Sequence, residues 1–127
     1  MTINQSIDIE EEIRTALAGY QTAYVRPLPA EYDLPHILIT QVGGSTSQTI
    51  DTFEVVLDAR AETEAEALAY LNRAVGLLKA VAKEQTTALR HIVTNTSGSW
   101  GSDPVRPDLA MCSARLSVVA HQQKVEV

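Results

Sequence analysis

Three histidines, one cysteine and two acidic clusters are the residues whose types could carry chemistry in this chain. His36, His91 and His121 could each offer a neutral imidazole to a metal ion. A metal site needs a second ligand at a matching spacing, and none of the three has one. Each falls in a stretch that reads as strand, where a satisfied structural histidine is expected. Cys112 is the sole cysteine, so no intrachain disulfide can form and a reducing compartment fits. Its setting, Ala110-Met111-Cys112-Ser113-Ala114, contains no histidine, which predicts a buried structural thiol and no nucleophile. Glu10-Glu11-Glu12 and Glu62-x-Glu64-x-Glu66 could pair for general acid–base work. Both sit at helix starts, where the helix dipole alone favours acids. Gly43-Gly44 matches neither phosphate-binding glycine pattern and reads as a bend at a strand end. No GxSxG elbow occurs. No catalytic residue, cofactor site or metal site is therefore expected.

Trp100 is the strongest candidate for a binding residue. It is the only tryptophan, and Gly98 and Gly101 lie close to it in a polar stretch. A large indole is costly to leave in water, so it either tucks onto the core or is covered by a partner. The surrounding stretch, Asn95 to Asp108, reads as the longest irregular segment, and long loops in small domains are commonly functional or mobile.

The elements that must position these residues are legible from periodicity. Phe53, Val55, Leu57 and Ala59 alternate with Thr52, Glu54, Asp58 and Arg60, the period of a half-buried strand. Thr63 and Glu66 follow with the spacing of a capping box. A helix then spans roughly Glu64 to Lys83, with Leu68, Leu71, Val75, Leu78 and Ala82 on one stripe. Ala67, Tyr70, Ala74, Leu77 and Val81 widen that stripe beyond the ~100° of an ordinary surface helix. The Tyr70–Leu77 edge should meet the first helix or another subunit. Ala65, Ala69, Gly76 and Ala80 form a line of small residues that would admit a close neighbour, or simply a solvated alanine-rich face.

Upstream, Ile9, Ile13 and Leu17 mark a first helix from about Ser6 to Ala18, closed by Gly19. Ala23–Arg26 reads as a short strand, and Pro27–Asp33 as an irregular connection. Pro35–Val42 is a β-branched strand that stops at Gly43-Gly44. Ser45–Thr49 should then form a loop and a hairpin to the next strand. Downstream, Ala88–Thr94 is a further strand. The last has Ala114, Leu116, Val118 and Ala120 on one face. His121–Val127 either continues that strand or frays. A strand feeding an amphipathic helix fixes an α+β or α/β layer.

The 127 residues bound the chain to one domain, 45% hydrophobic and only 5% aromatic, with an aliphatic core. The charge balance is acidic: 16 Asp and Glu against 10 Lys and Arg give −6. Clustered cations of the kind that bind nucleic acid are missing. A like-charged wall would let DNA pass without holding it. The N-terminal residues have no basic or apolar region of the kind a signal peptide carries, and no apolar run is long enough to span a bilayer.

The layout of a short acidic helix, a Pro-led strand ending in Gly43-Gly44, the Thr52–Arg60 strand and the Thr63-capped helix is followed by Gly101-Ser102-Asp103-Pro104-Val105-Arg106-Pro107-Asp108. A final alternating strand carrying Arg115 completes it. From about Ile7 to Ala120 this order resembles the tail terminator proteins of long-tailed bacteriophages and the related small neck proteins. The resemblance implies an α+β fold, a mixed and mostly antiparallel sheet with two main helices packed on one side. It implies a structural, non-enzymatic virion protein of the tail and neck, assembled in the host cytoplasm. Such a protein forms a hexameric ring that caps the tail tube, ends tube polymerisation and joins the tail to head-completion proteins. DNA would pass through its lumen, and no cofactor or membrane would be involved.

A ring needs two different complementary patches per subunit. The residues proposed for them are Tyr70, Leu77, Gly76 and Ala80 on the main helix, Trp100, Asp103 and Arg106 after it, and Gly43 and Gly44 in the earlier loop. Three other readings compete. One is a head-closure or connector protein at the same neck. The second is a small α+β enzyme or ligand-binding domain, which would need a pocket with convergent polar groups and shifted pKa values. The third is a homo-oligomer with a regulatory or chaperone-like role.

Overall fold

The alternation at Phe53, Val55, Leu57 and Ala59 is one face of a twelve-residue strand at the centre of the sheet. The structure, a computed structural model, describes residues 1–127. In chain order the elements are β1 (Thr2–Gln5), α1 (Ile9–Leu17), β2 (Ala23–Val25), β3 (His36–Thr46) and β4 (Ile50–Ala61). They continue with α2 (Glu64–Glu84), β5 (Leu89–Ser102), β6 (Ala110–His121) and β7 (Gln123–Glu126). The main sheet runs β2-β3-β4-β6-β5, and only the β2–β3 pair is parallel. Both helices pack against it. The fold is α+β with a mixed, mostly antiparallel sheet, as the resemblance implies.

Register explains the single core. Phe53 faces Val118, Val55 faces Leu116, Leu57 faces Ala114 and Ala59 faces Cys112 across the β4–β6 ladder. All eight are buried, and on the same face Ile37 and Ile39 of β3 meet Ala59 and Leu57. The helices close over this face with Ile9, Ile13 and Leu17 from α1 and Leu71, Ala74, Val75 and Leu78 from α2. Burying each Ile, Leu or Val side chain among them is worth about 1.5–3 kcal/mol. Cys112 is fully buried, and burial pushes its thiol pKa up, so it sits as the structural thiol its neighbours predict.

Helix starts follow their caps. Asp8 accepts from the Glu11 amide at 3.3 Å, so α1 begins at Ile9, three residues later than Ser6. Thr63 accepts from the Glu66 amide at 3.2 Å and starts α2. The wide apolar arc of α2 has a local cause. The helix lies on β4, β5 and β6 and also against α1, so Leu68, Tyr70, Leu77 and Val81 pack at the edges of the same core.

Four boundaries differ from the expectation. First, β3 does not stop at Gly43-Gly44 but runs on to Thr46, with a bulge between Gln41 and Gly43. Gly44 lies inside the ladder opposite Phe53, and only glycine fits there because a Cβ would lie 2.5 Å from the Thr52 carbonyl oxygen, at φ +153°. The turn is reduced to the residues between Thr46 and Ile50, closed by Ser47 Oγ, which donates to the Ile50 carbonyl at 2.7 Å. Second, Asn95–Ser102 is not loop but the outer half of β5. Its register shifts three times against β6, which erases a clean alternation from the sequence. Third, β6 starts at Ala110, so Cys112, which the sequence puts on the approach to the last strand, lies within it. Fourth, the terminal segments pair. Thr2–Gln5 and Gln123–Glu126 form an antiparallel ribbon, and Asn4 Nδ2 donates to the Gln48 carbonyl at 3.4 Å. That ribbon therefore reaches the turn of the β3–β4 hairpin.

Candidate interaction surface and apolar cleft

The outer face of α2 is set by what its inner face must bury. With Leu71, Ala74, Val75 and Leu78 turned to the sheet, Ala65, Ala69, Gly76 and Ala80 are exposed. A Cβ added at Gly76 would meet nothing within 4 Å, so no element of the same chain needs this glycine. Leu77 is half-buried beside the line and packs on the core edge. Tyr70 is taken up inside the subunit. Its hydroxyl accepts from the Thr22 amide at 2.6 Å, and its carbonyl accepts from Gln21 Nε2 at 2.9 Å. The Tyr70 edge thus holds the entry to β2 in place, and the part of α2 still open is the Gly76–Leu77–Ala80 surface.

Trp100 is 48% exposed on β5, opposite Cys112 in the ladder and close to Glu62 and Glu64 at the start of α2. It is neither fully tucked in nor free. Arg106 is exposed and held by Asp108, with Nε and Nη2 donating at 3.1 and 3.0 Å. That pair raises the Arg106 pKa and lowers that of Asp108. Asp103 is different, being only 5% exposed. Its Oδ2 accepts from Arg60 Nε at 2.8 Å, and its Oδ1 accepts from the amides of Val105 and Arg106 at 2.9 and 3.2 Å. Burial opposes ionisation of Asp103, but the two amides and the guanidinium outweigh it and hold its carboxyl below the ordinary range. Asp103 therefore fixes the turn that carries Arg106. Gly43 and Gly44 lie on the projecting β3–β4 arm, whose residues from Gln41 to Ile50 are exposed. The nine candidates thus separate into an α2 face, the Trp100–Arg106 end of the sheet, and the hairpin arm.

On the sheet face away from the helices a second arrangement appears that the sequence reading did not single out. Arg60 alternates outward, as expected, yet it is buried. The Pro27–Tyr32 connection and the Asp103–Val105 turn fold over it and enclose a cleft of about 700 Å³. Leu38, Leu28 and Val105 supply apolar walls, with Arg26 at the rim. His36 lies behind it, opposite Arg60 in the β3–β4 register. Its Nδ1 donates to the Asp33 carbonyl at 2.9 Å, and Tyr24 and Tyr32 meet its ring edge-on with centroids 5.2 and 4.9 Å away. Burial lowers the His36 pKa, against the pull of the Asp33 carbonyl, and the Arg60 charge adds to the lowering. Its Nε2 and Arg60 Nη1 are both buried without a partner. The sequence signal was Pro27-Leu28-Pro29, too apolar for a free loop, facing an outward Leu38.

Further along this face the side chains form a polar belt. Ser117 Oγ donates to Glu54 at 2.8 Å, Asn95 Nδ2 bonds both, and Ser113 donates to Asp58. His91 and His121 are exposed on separate strands, and no three His, Cys, Asp or Glu side chains converge. No helix is long and apolar enough to cross a membrane. No protein-family model matches this chain, and no curated protein matches it.

Proposed function

We propose that this chain is a ring-forming structural subunit of the phage tail terminator type. Six copies would close a ring on the end of a tail tube, stop its growth and receive head-completion proteins in the virion neck. The observation that carries this reading is the α2 surface. Gly76, Leu77 and Ala80 present a small-residue face, open at Gly76, with the exposed Arg73, Lys79 and Lys83 one helical turn away. Small residues let a neighbouring backbone approach closely, and a half-buried leucine beside them adds apolar area. Trp100, at the other end of α2 and half exposed, supplies a second and chemically different patch, which is what a closed heterologous ring requires. The net charge of −6 suits a channel wall that repels DNA. Arg115 on the open sheet face lies 4.0 Å from Glu54, which tempers its charge.

The test is tube growth. Tail-tube protein polymerised alone should give long, open-ended tubes by negative-stain microscopy. Added chain should produce capped ends and shorter tubes at substoichiometric ratios. Tubes of unchanged length with bare ends would refute the reading.

A further inference from the structure

We infer that the cleft between the Pro27–Tyr32 connection and the Asp103–Val105 turn binds a small organic carboxylate carried on an apolar body. This is independent of ring formation. A cleft of about 700 Å³ is within the size range of small-molecule sites. Its walls are mainly apolar, with Leu28, Leu38 and Val105 among them, so the body of the ligand must be apolar too.

The charge at its inner end selects the head group. Arg60 lines the cleft with a side chain 9% exposed. Asp103 takes only its Nε–H, and Nη1 has no partner. A buried guanidinium with unmatched N–H groups favours an acceptor that can take two of them, which a carboxylate does. Asp103 meets Arg60 through Oδ2 alone, since its Oδ1 already accepts two backbone amides. If one Arg60 N–H turns to the unpartnered Nε2 of His36, its neighbour across the ladder, others still remain for the ligand. Arg26, at the rim and 60% exposed, adds a second positive charge, tempered by Glu10 at 4.0 Å. A cation would meet two arginines. A neutral apolar molecule would leave the guanidinium unmatched. A phosphate would lose its hydration against the apolar walls.

The experiment is an amide-resolved NMR titration of the full chain with octanoate, with octanol as the uncharged control and acetate as the head group alone. Saturating shifts are expected at the Leu28, Tyr32 and Val105 amides, with octanoate binding at least about tenfold more tightly than octanol or acetate. Ala30→Trp, at an exposed position in the cleft wall, should weaken octanoate about tenfold by filling the space. Arg60→Gln should remove the preference for octanoate over octanol. If Arg60→Gln loses its dispersed spectrum, Ala30→Trp and the octanol comparison still decide. Octanol binding as tightly as octanoate, an unchanged octanoate affinity in Ala30→Trp, or no saturating shift at the cleft amides would each overturn the assignment.

Discussion

Arg60 Nε donates to Asp103 Oδ2 at 2.8 Å, joining β4 to the turn before β6 across 43 residues, with both side chains over nine-tenths buried. The pair ties down the turn that bears Arg106 and closes one wall of the cleft. Its two members are not equivalent. Asp103 also accepts two backbone amides, whereas Arg60 has no second acceptor for Nη1.

Removing one partner of a buried ion pair strands the other. Asp103→Ala is expected to destabilise the fold by about 3 kcal/mol, read as a lower denaturant midpoint at constant slope. The double variant Arg60→Met/Asp103→Leu should recover most of that loss, since apolar replacement of a buried pair is often neutral. A double variant as unstable as Asp103→Ala would mean that the amide bonds of Asp103, and not its charge partner, dominate.

Two glycines should respond in opposite directions. At Gly44 a Cβ would stand 2.5 Å from the Thr52 carbonyl, so Gly44→Ala should lower the melting temperature and disturb the β3–β4 arm. Gly76 sits in helix with open space around it, so Gly76→Ala should stabilise the subunit by up to about 1 kcal/mol. Thermal melts of the two variants settle both signs.

The same position tests the α2 face. Gly76→Leu places a bulky side chain on the small-residue surface without touching the subunit's own core. It should block assembly of the ring while leaving the circular dichroism of the subunit unchanged. Trp100→Ala should weaken assembly through the other patch, again with an intact fold. Size-exclusion profiles showing full assembly in both variants would remove these two patches from the account.

His36 predicts a pH dependence. Its folded pKa is depressed by burial below the unfolded value of about 6.5, so the unfolded chain binds the proton first. Stability from this group is complete above that value and falls as the pH drops from there toward the folded pKa. His36→Gln should flatten the dependence of the denaturant midpoint between about pH 7 and pH 5. Asp103, whose folded pKa is also lowered, acts in a more acidic window. Its contribution is present above the ordinary carboxylate pKa of about 3.9 and is lost as the pH falls through the folded value.

The parts of the fold with strong periodicity were legible in the sequence. Phe53 to Ala59 and Ala114 to Ala120 alternate cleanly because one face of each strand meets the helices and the other does not. Thr63 marks the start of α2 because its hydroxyl has an amide to satisfy. The failures share a cause: residues whose structure is set by distant partners. Gly44 looks like a strand end until Thr52 is seen across the ladder. Asn95 to Ser102 lacks alternation because β5 bulges against β6. Thr2–Gln5 is a strand only because Gln123–Glu126 pairs with it. The cleft was invisible for the same reason, since Arg60, His36 and Asp103 are brought together by two connections and not by spacing. Of the candidate interface residues, Gly76, Ala80 and Trp100 are exposed. Tyr70 and Asp103 are engaged within the subunit.

The most direct test of the central claim is the mass of the purified chain by light scattering, alone and with tail-tube protein. A hexamer of the 13.8 kDa chain is expected, or a monomer that becomes hexameric on tube ends. A stable monomer or dimer that ignores tube protein at every concentration would contradict it.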